Sequence, residues 1–144
     1  MAEEGKSILD KLGVDIGFKV THMKTITEEV ITLTAEVSGD FNPIHMSEEY
    51  AKKTLFGGRI AHGIFSILLL SAAMAKLPGV VIYLSQTIRF LKPVRIGDTL
   101  TAIAEVTDTR KEKGIVTLKN TCVNQNGEAV VEGEATCRLF EAPS

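Results

Sequence analysis

A carboxylate and an imidazole lie five residues apart in Ser38-Gly39-Asp40-Phe41-Asn42-Pro43-Ile44-His45, with an Asn-Pro turn signal between them. Held on the same side of a turn, such a pair grips one water between a general base and a general acid, if both stand within about 3 Å of it. Further along, His62-Gly63 opens an apolar segment with the composition of a buried helix. A helix start offers free backbone N–H donors, which stabilise an oxyanion. Gly63 carries no side chain to block an incoming carbonyl oxygen. Together the two segments point to proton-transfer chemistry on a carbonyl substrate.

Each of these residues also has a purely structural reading. Asp40 suits an Asx-turn after Gly39. His45 suits a surface position or a hydrogen-bonded place in the core. Pro43 fixes its own φ and biases Asn42 toward an extended conformation, so the pair shapes the turn. Asn42 can also hydrogen-bond a member of the Asp–His pair. His62 reads as a structural hydrogen-bonder rather than a second base. Ser71 lies about two helical turns beyond Gly63 on a similar face. Its hydroxyl either bonds back to a carbonyl one turn earlier or lines a pocket.

Other chemistries lack their motifs. The chain has no Gly-rich phosphate loop, no zinc-ligand cluster by spacing, and no Ser in a nucleophile elbow. Arg89, Lys92, Arg95 and Arg110 read as solvated faces, any of which can meet a ligand phosphate. A net charge of -2 implies no polyanionic partner, so no nucleic acid is expected. The start, Met1-Ala2-Glu3-Glu4-Gly5-Lys6, lacks the basic and apolar regions of a signal peptide. The longest apolar run, Ile64 to Leu77, is too short to cross a bilayer. The expected location is the cytoplasm, with no membrane partner.

These groups need a scaffold. At 144 residues, 44% of them hydrophobic, the chain has the length of one domain with a real core. Residues 1 to 10 read as a loose lead-in. Phe18 to Met23 suits a short strand. Thr25 to Val37 suits a helix capped by Thr25 or Thr27, with Glu28 and Glu29 at its positive end and Gly39 as a left-handed stop. Ser47 suits the cap of a second short helix from Glu48 to about Lys53. Thr54 to Ala61, with Gly57-Gly58, reads as a loop. Gly63 to Ala75 is apolar nearly all round, so it must be enclosed, and Pro78-Gly79 stops it.

The remainder is β. Val80 to Val94 places Ile82, Leu84, Ile88 and Phe90 on one face, and Thr99 to Thr107 does so with Leu100, Ala102, Ala104 and Val106. Asn126-Gly127 centres a hairpin turn. That register sets Cys122 against Val131, Val116 against Cys137, and Lys119 against Glu134 as a favourable charge pair. The two cysteines then lie roughly 20 Å apart at ~3.3 Å per residue, beyond the reach of a disulfide. Buried free thiols are expected. The architecture is α+β, a five-stranded antiparallel sheet wrapped around a long central helix. Its open edges favour a symmetric dimer.

Ser38-Gly39-Asp40-Phe41-Asn42-Pro43-Ile44-His45 resembles the hydratase-2 motif of the MaoC-like, (R)-specific enoyl-CoA hydratases. Phe56-Gly57-Gly58-Arg59-Ile60-Ala61-His62-Gly63 resembles the segment leading into that family's central helix. Phe90-Leu91-Lys92-Pro93-Val94-Arg95-Ile96-Gly97-Asp98-Thr99-Leu100 is similar to its strand-turn-strand corner, a weaker signal shared by many hot-dog proteins. The resemblance runs from about Gly17 to Leu139, in order. It implies a hot-dog fold, a homodimer, and an acyl-CoA thioester substrate with no separate cofactor or metal. It also implies a catalytic pair in Asp40 and His45 and an oxyanion-hole N–H at Gly63. Ser71 matches a residue of the acyl pocket, and Met74 and Thr136 fall at other pocket positions. Asn42 and His62 join them as candidate substrate contacts. The rival readings are an acyl-CoA thioesterase and a non-catalytic acyl-CoA-binding protein.

Overall fold

A computed structural model describes residues 5–144. The chain runs α1 (Ile8–Leu12), β1 (Lys19–Thr25), α2 (Glu28–Ser38), α3 (Pro43–Met46), α4 (Glu48–Lys52), α5 (Ile64–Met74), β2 (Val80–Phe90), β3 (Thr99–Arg110), β4 (Ile115–Val123) and β5 (Ala129–Phe140). The strands form one antiparallel sheet in the order β1-β3-β4-β5-β2.

Cap chemistry sets the helix boundaries. Thr27 accepts the Val30 N–H at the start of α2, and Gly39 ends it at φ 82°. Ser47 accepts the Tyr50 N–H at the start of α4. The lead-in is more ordered than expected. Residues 1–4 lie outside the described residues, but Ser7 caps α1, and Leu9 is fully buried. A five-residue helix is too short to show a periodicity, which is why composition alone reads it as loose.

The apolar helix is enclosed only in part: Leu69, Leu70, Ala73 and Met74 are buried, while Ile64 and Leu68 stay 48% and 52% exposed, against the expectation of full enclosure. It packs against β1, β3 and β4, and burying each of Leu69 and Leu70 contributes about 1.5–3 kcal/mol. At 11 residues it is a three-turn helix rather than a long one. Opposite it, Leu100, Ala102, Ala104 and Val106 of β3 are all buried.

The hairpin does not close through the expected two-residue Asn126-Gly127 turn. The Asn124 N–H donates to the Glu128 carbonyl around a three-residue loop with Gly127 at φ 76°, and a bulge at Val130 then restores the expected pairs. Cys122 pairs with Val131, Val116 with Cys137, and Lys119 with Glu134. Both cysteines are buried and free. Burial pushes the Cys122 thiol up to about 12 and the Cys137 thiol to about 11, so neither is a ready nucleophile.

β2 departs from simple alternation. Leu84 is an extra residue between the Tyr83–Cys137 and Ser85–Thr136 pairs. This bulge reverses the face of everything before it. Gln86, Ile88 and Phe90 therefore share the core side with Val81 and Tyr83, while Ile82 turns outward and is exposed. The expected grouping of Ile82 and Leu84 with Ile88 and Phe90 does not hold. Close packing of β2 on β5 also explains Gly133: a Cβ there would stand 1.9 Å from the Thr87 carbonyl oxygen.

Candidate active site

Loop 38–45 is wired locally before it meets anything else. Asp40 Oδ1 accepts the Asn42 N–H at 3.1 Å, forming the Asx-turn. Asn42 Oδ1 accepts the Ile44 N–H at 3.2 Å and so caps α3, with Pro43 in the first turn. The Asn-Pro pair thus acts as scaffold. It leaves Asp40 Oδ2 free and starts the short helix that carries His45.

His45 is buried, and its Nδ1–H donates to the Ile60 carbonyl at 2.8 Å. A carbonyl only accepts, so Nδ1 holds the proton and Nε2 presents its lone pair as an acceptor. Nε2 stands 3.7 Å from Asp40 Oδ2. That gap is too long for a direct hydrogen bond and short enough for one water to touch both atoms.

His62 comes from the opposite loop. Its ring stacks on His45 with centroids 4.0 Å apart, and its Nε2–H donates to the Asp40 carbonyl at 2.9 Å. The His62 Nδ1 is buried without a partner among the described residues. Asp40, His45 and His62 each place one potential ligating atom within 4.8 Å of the others. These residue types can hold a divalent ion, a grouping that linear spacing did not reveal. They equally suit acid–base work.

The loop into α5 is held by half-buried cation–carbonyl contacts. Arg95 donates to the carbonyls of Gly58 at 3.1 Å and Phe56 at 2.6 Å. Arg95 therefore anchors the loop instead of lying on a solvated face. Lys92 pairs with Glu128, and Arg89 lies 3.9 Å from Glu132. Gly63 is the N-cap of α5, and no side chain caps that helix. Approach is close there: a Cβ on Gly63 would lie 2.8 Å from Phe90 Cε1, so the ring would have to give way.

A cleft of about 390 Å³ opens beside this tip. His45, Gly63 and Ser66 form one wall, and Phe56, Ile60, Phe90, Pro93 and Val131 supply apolar surface. Ser66 was not singled out in the sequence. Its signal was available, since it lies one turn beyond Gly63 and so shares its face. The other candidates lie elsewhere. Ser71 is half-buried further down α5. Met74 is in the core, its Sδ 3.8 Å from Asn120 Nδ2 and from Cys137 Sγ. The Thr136 hydroxyl pairs with Ser85 at 2.6 Å, on the sheet face opposite α5. Asn42 and His62 do not line the cleft; they hold the Asp40 loop.

A five-stranded antiparallel sheet packed on one apolar helix, with an Asp–His pair at the helix tip, defines a hot-dog-fold protein. The MaoC like domain model matches residues 13–126. The chain belongs to that family. It is 49% identical over 115 residues to an (R)-specific enoyl-CoA hydratase of Rhodospirillum rubrum, covering 78% of this chain and 79% of that protein. It is 39% identical over 128 residues to a 3-hydroxybutyryl-CoA dehydratase of Methylorubrum extorquens, covering 88% and 81%. The solved (R)-hydratase from A. caviae, described as involved in PHA biosynthesis, superposes with a TM-score of 0.84 at 36% identity, covering 88% and 98%.

Proposed function

We propose that this protein reversibly hydrates a trans-2-enoyl-CoA to an (R)-3-hydroxyacyl-CoA. One observation carries the reading: the 3.7 Å gap between Asp40 Oδ2 and His45 Nε2, beside an apolar cleft that shares His45 and Gly63. The names of the relatives at 49% and 39% identity support it.

In this reading the thioester carbonyl accepts the Gly63 N–H, and the positive end of α5 stabilises the enolate-like charge. A water held between Asp40 and His45 loses one proton to the pair as its oxygen bonds the β-carbon. The π electrons move toward the α-carbon and the carbonyl. The pair then returns one proton to the α-carbon from the same face. Atoms and charge balance, and no redox change occurs. Coenzyme A enters and leaves with the substrate, and the reaction as proposed draws on no metal or prosthetic group.

The assembly proposed is a homodimer. β2 is an edge strand, and Val80, Ile82, Leu84, Phe90 and neighbouring Phe140 are exposed along it. Such an edge invites a second copy. Among the described residues no helix is long and apolar enough to cross a membrane. The proposed setting is the cytoplasm, where two unpaired thiols persist.

Crotonyl-CoA tests the activity. Loss of the conjugated-enoyl absorbance with formation of (R)-3-hydroxybutyryl-CoA is expected. Release of free thiol without hydration would favour a thioesterase instead. Saturable binding without turnover would favour a non-catalytic acyl-CoA binder.

A further inference from the structure

Arg59 sits in the loop between α4 and α5, yet only 11% of its side chain is exposed. Each of its three guanidinium nitrogens donates one hydrogen bond. The two terminal nitrogens each donate to one oxygen of the Glu28 carboxylate, both at 2.9 Å, in a bidentate fork. The remaining Nε–H donates to the His45 carbonyl at 2.6 Å. Glu28 is the first residue of α2, and its side chain is 66% exposed.

The next residue completes a clasp on His45. The Ile60 N–H donates to the Ile44 carbonyl at 3.2 Å, and the Ile60 carbonyl accepts the His45 Nδ1–H at 2.8 Å. Three hydrogen bonds thus fix residues 44–45 against residues 59–60, holding both the backbone and the ring of His45. α3 has only four residues, too few to hold its own orientation. The register of the imidazole is therefore set from outside, and Glu28 fixes the outer end of that support.

We propose that Arg59 is a positioning residue for His45 and that Glu28 is its anchor, coupling the first turn of α2 to the acid–base gap. This rests on the reading of Asp40 and His45 as the reacting pair. A gap sized for one water tolerates little drift, and misplacement by about 1 Å can cost about 10²-fold in rate. Lysine cannot replace the arrangement, because one ammonium lacks the planar fork and the separate Nε–H.

The test uses the full-length protein and crotonyl-CoA. Arg59→Met is expected to lower kcat at least about tenfold with KM within about twofold, since no cleft contact is removed. Glu28→Ala is expected to lower kcat less and to add nothing in the Arg59→Met background, because Glu28 acts through Arg59. Glu28→Gln, which keeps an acceptor, is expected to recover part of that loss. Nitrogen NMR of His45 gives a readout independent of turnover: the Nδ1–H tautomer should dominate in the parent and mix with Nε2–H in Arg59→Met. Glu28 is exposed, so its variants stay informative if Arg59→Met fails to fold. Parental kcat in Arg59→Met, fully additive losses in the double variant, or an unchanged His45 tautomer would overturn the proposal. Asp40→Asn separates the two ideas. If it retains full turnover, the acid–base reading fails. If it is inactive while Arg59→Met turns over normally, only the positioning role fails.

Discussion

The His62 ring stacks on that of His45 at 4.0 Å, tilted by 29°, while its Nε2–H holds the carbonyl of Asp40. One side chain thus braces both His45 and the Asp40 loop without lining the cleft. His62→Gln keeps an N–H donor and loses the stacked ring. His62→Phe keeps a ring and loses the donor. Because the donor fixes the Asp40 loop, the Gln variant should retain more kcat than the Phe variant. The lost hydrogen bond should cost Phe about 0.5–1.5 kcal/mol of stability. Steady-state kinetics with parallel thermal melts measure both. A Phe variant as active as the parent would show that the tie to Asp40 is dispensable.

Phe90 stands close against Gly63 at the helix tip. Gly63→Ala places a methyl 2.8 Å from Phe90 Cε1. The ring is 58% exposed and can swing aside, so the stability loss should fall below the usual overpacking range of about 1–3 kcal/mol. Activity should fall more sharply, because the methyl and the displaced ring intrude on the approach to the Gly63 N–H. Adding Phe90→Ala should restore part of kcat/KM. Failure of that second substitution to help would place the damage in the helix start itself, which circular dichroism would register.

Gly133 has no such tolerance. Its missing Cβ would meet the backbone oxygen of Thr87 at 1.9 Å, and a backbone atom cannot rotate away. Gly133→Ala should therefore cost at least the upper end of the overpacking range of about 1–3 kcal/mol. Urea denaturation measures it. A midpoint equal to the parent's would mean that β2 and β5 separate more easily than their pairing suggests.

The Arg59 guanidinium beside Glu28 holds that carboxyl below its ordinary value of 4.5. A depressed folded-state value means the ion pair contributes stability above the ordinary carboxylate range. That contribution fades as pH falls through the lowered value. The parent should therefore melt above Glu28→Gln near neutrality, and the two melting curves should converge as pH drops well below 4.5. The difference should be small, since the carboxylate is exposed and screened. Parallel melting curves at every pH would contradict the pairing.

Local chemistry made much of the fold legible. The expected β4–β5 pairs hold down to Lys119 opposite Glu134, although a three-residue loop and a bulge at Val130 produce them in place of a two-residue Asn126-Gly127 turn. Thr27 and Ser47 mark true helix starts. The apolar segment from Gly63 becomes a helix packed on the sheet, though Ile64 and Leu68 on its outer side stay about half exposed. What escaped the reading depends on contacts distant in sequence. The bulge at Leu84 arises from how β2 meets β5, and alternation within β2 carries no trace of it. Asp40 and His45 were legible because one loop carries both. Their supports, Arg59 with Glu28 and His62 with the Asp40 carbonyl, span 31 and 22 residues. Met74 and Thr136 rested on resemblance, and the fold puts one in the core and the other on the far face of the sheet.

The central claim is that Asp40 and His45 act together on one water, and turnover of crotonyl-CoA by Asp40→Asn measures it most directly. Asparagine keeps the size of the side chain and an oxygen for the Asn42 N–H, while removing the proton acceptor. Hydration should fall by about 10²–10⁴-fold with an unchanged melting temperature. Parental turnover in that folded variant would contradict the account.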